Sequence, residues 1–250
     1  MSGRSDQEGG RNERPQRSAS GRSDQRAPAV TTAVISHILP SSAAAAEAFC
    51  DLPGARPLGA EEAALGGASL ARYAEFSTGR ACARAALARL GLPPVPIPPG
   101  PRGEPRWPAG VTGSITHCAG YRACAVAPSA EVLALGIDAE PDRALPAGVL
   151  PEVANPAERA WLAEPMAADP RVCWDTLLFS AKESAYKAWY GLTGTTLGFA
   201  DVAVAEPEGD RFTVHLLAPG PPSARRWPAT LEGRWLAGRG LVITAVAAPG

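Results

Sequence analysis

The pattern of apolar and polar positions divides the chain into two stretches, and each predicts helix followed by strands. In the first stretch, residues 61–90 are rich in alanine, leucine and arginine, which predicts a helix with a break at Gly66-Gly67. A proline-rich connector at residues 93–108 ends the helical pattern. Short apolar runs then predict strands at residues 113–117, 123–127 and 132–138.

The second stretch repeats this order. Helices are predicted at about residues 154–163 and 173–190, and Gly191 is expected to end the longer one. Further apolar runs predict strands at residues 202–205, 212–217, 230–236 and 241–247. Helix followed by strands, twice over, is typical of an α+β protein with two lobes. We place the boundary near residues 128–132, so the predicted lobes span residues 30–130 and 131–250.

Residues 1–29 differ from the rest, because they contain almost no apolar side chains and carry the hexapeptide Ser-Gly-Arg-Ser-Asp-Gln twice. Such a segment cannot bury enough surface to fold, so a disordered tail is predicted. It has no apolar stretch of the kind that a secretory signal contains. Its six arginines and four acidic residues give it a net charge of +2, which leaves −3 on the remaining chain. This balance argues against a general nucleic-acid-binding protein.

Composition also limits where the chain works. No run reaches the ~20 apolar residues that a membrane span needs, so we expect no membrane association. The five cysteines are odd in number and lack C-x-x-C spacing, which predicts free thiols in a reducing cytoplasm. The spacing of His117-Cys118 and Cys124 matches no usual zinc site, so buried apolar cysteine is the simpler interpretation.

Only two lysines occur in the chain, and both lie in the segment Lys182-Glu183-Ser-Ala-Tyr-Lys187; the other 22 basic residues are arginines. Lysine gives up its proton far more readily than arginine, so this segment is a candidate for proton chemistry on a charged substrate. Glu183 and Lys187 are i,i+4 neighbours on the predicted helix, and Glu183 is a candidate general base. The alternative is a surface ion pair worth roughly 0.3 kcal/mol.

Asp138 and Glu140 lie two residues apart at the end of a predicted strand, so both carboxylates point to the same face. Two adjacent negative charges are unfavourable unless a cation lies between them, and hard oxygen ligands suit Mg²⁺. The pattern therefore suggests a magnesium site, with Glu183 as a third carboxylate. The alternative is a solvated acidic turn before Pro141.

Candidate phosphate contacts lie upstream of these carboxylates. His117 follows a Gly-Ser turn about 20 residues before Asp138, although a histidine at a core or strand-edge position is the alternative. Arg72 and Arg80 are eight residues apart, close to one face of the predicted helix, and Arg102 follows in the connector. Arginines of this kind fork onto phosphates, but in so arginine-rich a chain each one, taken singly, is better explained as solvated surface.

Three segments together resemble the 4′-phosphopantetheinyl transferase family, in its longer two-lobed type that serves siderophore, polyketide, peptide and mycobacterial lipid synthases. They are residues 103–121, which contain Ser-Ile-Thr-His, residues 136–141, Gly-Ile-Asp-Ala-Glu-Pro, and residues 174–189, which contain Lys-Glu-Ser-Ala-Tyr-Lys. Gly-Ile-Asp-x-Glu alone is a weak signal. Followed some 40 residues later by Lys-Glu-Ser-x-Tyr-Lys, with Ser-x-Thr-His upstream, it is highly specific. The resemblance covers about residues 60–247.

The resemblance implies two similar α/β lobes in a pseudo-two-fold arrangement, with the active site and coenzyme A in the cleft between them. It implies that Mg²⁺, or Mn²⁺, is held by Asp138, Glu140 and Glu183. The catalytic residues that it implies are Glu183, Lys187, Asp138 and His117. The residues implied for coenzyme A, with both lysines at the pyrophosphate and Leu197 near the pantetheine arm, are Arg72, Arg80, Pro99, Gly100, Pro101, Arg102, Thr116, His117, Asp138, Lys182, Glu183, Lys187 and Leu197. Close members often carry lysine where this chain has Pro99, so that phosphate contact is either lost or taken over by Arg102.

The activity implied by the resemblance is that of a holo-[acyl-carrier-protein] synthase: transfer of the 4′-phosphopantetheine arm of coenzyme A to a serine of an apo acyl or peptidyl carrier protein. Glu183 would take the serine proton, and Lys187 would stabilise the leaving phosphate of 3′,5′-ADP. Two other classes stay open, a Mg²⁺-dependent nucleotide pyrophosphatase and a module that binds coenzyme A without turnover. Because two lobes in one chain form the cleft, a monomer is expected rather than a trimer of short chains.

Overall fold

The computed structural model describes residues 31–32, 34–217 and 228–250, so the predicted tail at residues 1–29 lies outside the described residues. The N-terminal lobe is an antiparallel sheet that carries one long helix. Its strands pair in the order β1-β2-β4-β3. In chain order the elements are β1 (Thr31–Thr32), β2 (Ala44–Ala48), α1 (Leu70–Arg89), β3 (Val111–Cys118) and β4 (Tyr121–Pro128).

The C-terminal lobe is a larger antiparallel sheet with the strand order β5-β9-β8-β7-β6. Its strands are β5 (Val132–Pro141), β6 (Val202–Val204), β7 (Arg211–Leu216), β8 (Thr230–Gly238) and β9 (Leu241–Pro249). Its helices, which lie between β5 and β6 in the chain, are α2 (Val149–Val153), α3 (Pro156–Ala168) and α4 (Trp174–Thr193).

Both lobes follow the same chain path. Each has a strand before its long helix, and after the helix the chain returns in antiparallel strands, the last of which pairs with that strand. Thus β2 pairs with β4 in the N-terminal lobe, and β5 pairs with β9 in the C-terminal lobe. This correspondence confirms the predicted α+β fold of two similar lobes, with β4 ending and β5 beginning at the predicted boundary.

Three apolar clusters hold the layers together. One lies between α1 and its sheet and includes Leu87 and Val126, and another lies between α4 and its sheet and includes Leu178. The third joins the opposite faces of the two sheets through Ala125 of β4 and Ile137 of β5. Because successive residues of a strand face opposite sides, β4 serves both of its neighbouring layers. The two lobes therefore share a continuous core.

The edge strands β3 and β5 meet where the two sheets adjoin, and side-chain hydroxyls join them there. The Ile137 N–H donates to the Ser114 Oγ at 3.1 Å, and the Ala139 N–H donates to the Thr116 Oγ1 at 3.1 Å. These hydroxyls replace the backbone carbonyls that a neighbouring strand would supply, so the buried edge of β5 keeps its hydrogen bonds. The result is a seam that places Thr116 and His117 of one lobe beside Asp138 and Glu140 of the other.

The structure confirms the predicted break before α1 but ends α4 at a different residue from the one predicted. A 3₁₀ helix (Gly59–Leu65) precedes the predicted break at Gly66-Gly67, and α1 then begins at Leu70, where the Ser69 hydroxyl accepts the Arg72 N–H. The prediction that Gly191 ends the long C-terminal helix is wrong. That helix continues to Thr193, and Gly194 takes the left-handed conformation at φ 66°.

The sequence pattern does not predict β2, because its alanines favour a helix. Both of its faces are buried: Ala45 packs toward the second sheet, and Ala46 packs toward α1. Packing on both sides overrides the low strand propensity of alanine.

The expectation of buried cysteine is confirmed for Cys82 and Cys124 and is wrong for Cys50, which is exposed. Among the described residues, no helix has the length and apolarity that crossing a bilayer requires.

Candidate active site

Gly136 of β5 brings the helix α4 unusually close to the sheet. A Cβ atom at this position would lie 1.9 Å from the Ser184 carbonyl oxygen and 2.6 Å from the Ala188 nitrogen. Only glycine allows a helix backbone to approach a strand in this way. This approach places the polar side of α4, with Glu183 and Lys187, beside the carboxylates that follow Gly136 on β5.

Hydroxyl groups fix the same contact from the next strand. Ser180 and Ser184, both fully buried on α4, lie 2.9 Å and 2.6 Å from the Thr244 Oγ1 on β9. The Thr244 Oγ1 also donates to the Ser180 carbonyl at 2.9 Å. Thr244 pairs directly with Asp138 in the sheet register. The position of α4 is therefore set by hydrogen bonds immediately beside the candidate site.

Lys187 reaches across the seam to Asp138. Its Nζ donates to the Asp138 Oδ1 at 2.6 Å, to the Ile137 carbonyl at 3.1 Å and to the Thr116 Oγ1 at 3.4 Å. The Lys187 side chain keeps 26 % of its surface exposed, whereas that of Asp138 keeps 6 %. Residues of α4, β5 and β3 thus meet at one cation, and this cation still faces the cleft.

The three predicted metal ligands repel one another as they stand. Burial and the Asp138 carboxylate raise the pKa of Glu140 to about 7, and the same two causes raise the pKa of Glu183. Among the described residues the Asp138 Oδ2 is buried without a hydrogen-bond partner, while the Asp138 Oδ1 accepts a hydrogen bond from Lys187. The three carboxylates do not converge as a ready-made metal site within the described part of the chain. A divalent cation would satisfy the orphaned oxygen and offset the repulsion, so these residues fit the predicted Mg²⁺.

A cavity of about 280 Å³ opens between α1 and the connector, and it gathers several predicted phosphate contacts. His117 and Arg72 both line it, and Glu75 lies between them. The His117 Nδ1 is 3.4 Å from the Glu75 Oε2, and Arg72 forms an ion pair with the other Glu75 oxygen. Burial holds the pKa of His117 below its usual value, and Glu75 opposes this shift.

Arg80 lines the same cavity from a more buried position. Its Nε donates to the Ile97 carbonyl at 2.6 Å, and its guanidinium lies 4.3 Å from the centre of the Phe76 ring. Burial lowers the Arg80 pKa to about 10, which leaves the side chain charged at neutral pH. Pro99 and Gly100 form part of the opposite wall. The cavity thus combines cations with an aromatic ring, which suits a nucleotide phosphate.

The turn at residues 99–102 is built around Glu104. The Gly100 N–H donates to the Glu104 carbonyl at 2.7 Å, and the Arg102 N–H donates to the Glu104 Oε2 at 2.9 Å. Pro101 lies exposed at the tip. Arg102 lines a different cavity, of about 410 Å³, together with Lys187. Arg102 is not among the described residues that line the 280 Å³ cavity, where Pro99 lies.

A third cavity, of about 260 Å³, lies on the other side of Tyr186. Leu197 and Phe199 form one wall of it, and Glu183 and Tyr186 form the opposite wall on α4. Tyr186 also lines the 410 Å³ cavity, where its ring stacks on that of Tyr190. Lys187 thus lines the 410 Å³ cavity and Glu183 lines the 260 Å³ cavity, and these two cavities share Tyr186. The 410 Å³ cavity in turn shares Gly103 and Pro105 with the 280 Å³ cavity.

Two family models account for the whole of this arrangement. The 4′-phosphopantetheinyl transferase N-terminal domain matches residues 60–127, and the 4′-phosphopantetheinyl transferase superfamily matches residues 134–245. The chain belongs to the 4′-phosphopantetheinyl transferase superfamily. The two matches meet between β4 and β5, and the candidate active site of this transferase lies at that junction.

Relatives of known name support this assignment over most of the chain. The 4′-phosphopantetheinyl transferase Svp of Streptomyces mobaraensis is 53% identical over 86% of this chain and 89% of its own length. The 4′-phosphopantetheinyl transferase PptT of Mycobacterium tuberculosis is 45% identical over 85% of this chain and 97% of its own length. Enterobactin synthase component D of Salmonella typhimurium is 32% identical over 71% of this chain and 72% of its own length. The resemblance to the longer type of transferase is confirmed.

The structure corrects the expected role of Lys182. The resemblance implies a pyrophosphate contact for this residue, as for Lys187, but its side chain is 1% exposed and its Nζ lies 2.7 Å from the Glu158 Oε2. Burial lowers the Lys182 pKa, while Glu158 opposes this shift. Helical spacing indicates this buried position. Leu178, Ala185 and Trp189 lie four residues before, three after and seven after Lys182, so they share its face of α4, and all three are buried.

Sequence reasoning also missed functional candidates. Glu75 lies between Arg72 and His117 in the 280 Å³ cavity. Tyr186 lines both the 410 Å³ and the 260 Å³ cavity. Tyr186 stands between Glu183 and Lys187 in the motif, so its position next to two candidate catalytic residues was the available signal. No local pattern marks Glu75, because its importance depends on β3 lying against α1.

Proposed function

We propose that this transferase moves the 4′-phosphopantetheine arm of coenzyme A to a serine hydroxyl of an apo carrier protein and releases 3′,5′-ADP. The observation that carries the proposal is the meeting of Asp138, Glu183 and Lys187 at the seam, where Lys187 lines the 410 Å³ cavity and Glu183 lines the neighbouring 260 Å³ cavity. Membership of the superfamily and 53% identity to a named transferase support it. The targets are the acyl or peptidyl carriers of fatty-acid, polyketide, peptide or siderophore synthases.

Coenzyme A fits the cavities in one direction. The nucleotide and its phosphates occupy the 280 Å³ cavity, where Arg72, Arg80 and His117 supply positive charge. The pyrophosphate then lies beside Lys187, and the Thr116 hydroxyl is next to it. The pantetheine arm enters the 260 Å³ cavity past Leu197. This direction places the scissile phosphate at the charged cluster.

We propose that Asp138, Glu140 and Glu183 hold a Mg²⁺ ion, or Mn²⁺ in its place. When bound, the ion withdraws charge from the pyrophosphate. Two observations support this assignment: within the described residues the buried Asp138 Oδ2 has no hydrogen-bond partner, and the pKa values of Glu140 and Glu183 are raised. Lys187 neutralises one charge of this group through its bond to the Asp138 Oδ1.

Glu183 acts as the general base in the proposed reaction. It accepts the serine proton, while the serine oxygen forms a bond to the β-phosphorus of coenzyme A. The bond from that phosphorus to the bridging oxygen breaks, and the leaving phosphate of 3′,5′-ADP is stabilised by Lys187. The remaining catalysis is positioning, for which α4 and β5 are held together at Gly136.

The setting of the reaction is also part of the proposal. Carrier proteins are expected to be acidic around their serine, and Arg102 with Lys187 offers positive charge at the mouth of the 410 Å³ cavity. Because one chain supplies both lobes, a monomer suffices to form the site. We place the enzyme in the cytoplasm, where its synthase targets and coenzyme A occur together.

Intact-protein mass spectrometry tests the function directly. An apo carrier protein incubated with the enzyme, coenzyme A and Mg²⁺ should gain the mass of one phosphopantetheine, and EDTA should abolish the gain. Consumption of coenzyme A without a gain on fatty-acid, polyketide and peptide carriers would instead indicate a pyrophosphatase. Binding of coenzyme A with neither gain nor consumption would indicate a binding module.

A further inference from the structure

Lys182 is enclosed in protein although it carries a charged side chain. Its Nζ donates to the Glu158 Oε2 at 2.7 Å, to the Val153 carbonyl at 2.8 Å and to the Phe199 carbonyl at 3.1 Å. An ammonium group has three N–H donors, so these acceptors use all of them. The group therefore has no donor left for a phosphate oxygen.

Both carboxylate oxygens of Glu158 also accept hydrogen bonds inside the protein. Besides Lys182, its Oε2 accepts the Asn155 N–H at 2.7 Å, and its Oε1 accepts the Val204 N–H at 2.8 Å. Asn155 caps the start of α3, and Val204 lies in the edge strand β6. One buried ion pair thus ties α3, β6 and α4 together.

The same ion pair reaches the wall of the 260 Å³ cavity. Leu197 and Phe199 form that wall, and Phe199 is held to α4 by its carbonyl bond to Lys182. The Phe199 ring also contacts the Phe179 ring, with centroids 5.8 Å apart. Glu183 lines the opposite wall and is the next residue after Lys182 on α4. The distance between the wall and the general base therefore depends on Lys182.

The geometry points to Lys182 as a positioning residue, which, paired with Glu158, fixes the Leu197–Phe199 wall and thereby sets the fit of the pantetheine arm beside Glu183. The identity of that arm rests on the function proposed above. Lys182 lines the same cavity, but its three Nζ donors are taken by Glu158 and two backbone carbonyls, so it donates no hydrogen bond to coenzyme A; it acts through the Phe199 carbonyl and Glu158. The two lysines of the motif thus have separate tasks, since Lys187 faces the cleft and Lys182 supports its wall.

Lysine acylation of the native enzyme tests this assignment without any variant, because the chain contains only two lysines. Acetic anhydride should modify Lys187, and S-methyl coenzyme A with Mg²⁺, which has no free thiol to consume the reagent, should slow that modification. Lys182 should stay unmodified with or without S-methyl coenzyme A until the protein is unfolded. Rapid modification of Lys182 that S-methyl coenzyme A prevents would overturn the assignment. Failure of S-methyl coenzyme A to protect Lys187, with Lys182 still unmodified, would count against the proposed function alone.

A double-mutant cycle adds a functional readout. Lys182→Met leaves the Glu158 charge buried and unpaired, so the KM for coenzyme A should rise ~10-fold or more while kcat changes less. Adding Glu158→Gln should restore most of that loss, because the unpaired charge is gone. An equal KM increase in both backgrounds would indicate a direct phosphate contact instead. If Lys182→Met alone does not fold, the KM of the double variant for coenzyme A is compared with that of Glu158→Gln alone. KM values within ~3-fold of each other support the assignment, and a larger difference overturns it.

3′,5′-ADP separates the two roles further, because it keeps the nucleotide phosphates and lacks the pantetheine arm. Its Kd should be the same for the double variant and the native enzyme if Lys182 only positions the cavity wall. A weaker Kd for 3′,5′-ADP in the double variant, with an unchanged melting temperature, would place Lys182 at the phosphates and overturn the assignment.

Discussion

Replacement of Gly136 by alanine should damage both stability and turnover, because α4 lies directly on this residue. The new Cβ would stand 1.9 Å from the Ser184 carbonyl oxygen, whereas ordinary contact begins at 3.4 Å. The clashing atoms are backbone, so no side-chain rotation relieves the overlap. The helix must therefore move away from β5 by about 1.5 Å, and Glu183 and Lys187 move with it.

The structure also sets the size of the effect. Overpacking of this kind costs ~3 kcal/mol, because the hydroxyl contacts of Ser180 and Ser184 with Thr244 are strained as well. For a chain of this length each kcal/mol corresponds to ~2–4 °C, so the melting temperature should fall by about 6–12 °C. Misplacement of a catalytic group by ~1 Å costs ~100-fold in rate, so kcat should fall by at least that factor.

The assay combines calorimetry with the initial rate of carrier modification at saturating coenzyme A. Gly238→Ala on β8 is the matched control, since a Cβ there has nothing within 4 Å. That control should melt and turn over like the native enzyme. If Gly136→Ala also kept its melting temperature and rate, the close approach of α4 would not position the site, and the reasoning from this glycine would be wrong.

Three further predictions follow from the same geometry. Glu183→Gln should lower kcat by ~100-fold or more while the Kd for coenzyme A stays within a few fold, because the base is lost and the cavity shape is kept; single-turnover rates and equilibrium binding check this. Thr116→Val should destabilise the fold by ~1–3 kcal/mol, because the Ala139 N–H loses its buried acceptor; denaturant unfolding, with Thr213→Val as the control, measures it. Iodoacetamide at pH 8 should alkylate the exposed Cys50 and spare Cys82, because burial raises the Cys82 pKa to about 12; peptide mass spectrometry reports both thiols.

Each of these predictions has a clear contrary result. Normal turnover of Glu183→Gln would remove the base assignment. A Thr116→Val enzyme as stable as the Thr213→Val control would show that water or another group satisfies the Ala139 N–H. Alkylation of Cys82 as fast as that of Cys50 in the folded protein would show that α1 does not shield this thiol from the solvent.

Local features of the chain were sufficient for most of the elements and for the chemistry. The break before α1, the two-lobe order and the strands on either side of the boundary follow from glycine, proline and apolar periodicity, which act over a few residues. The carboxylate pair at Asp138 and Glu140 follows from strand alternation, which places both on one face. Even the resemblance to the transferase family is carried by short motifs at set spacings.

Tertiary structure decided what each motif residue contacts. Lys182 and Lys187 look equivalent in the motif, but five residues turn a helix by about 140° beyond a full circle, so the two cannot face the same way. One meets Glu158, 24 residues away, and the other meets Asp138, 49 residues away. β2 forms a strand despite its alanines because distant segments pack on both of its faces. Glu75 likewise lines the 280 Å³ cavity because distant segments pack against α1. Local sequence sets which side chains share a face of a helix or strand. The residues that pack against that face come from segments far apart in the chain, and short-range periodicity does not depend on those segments.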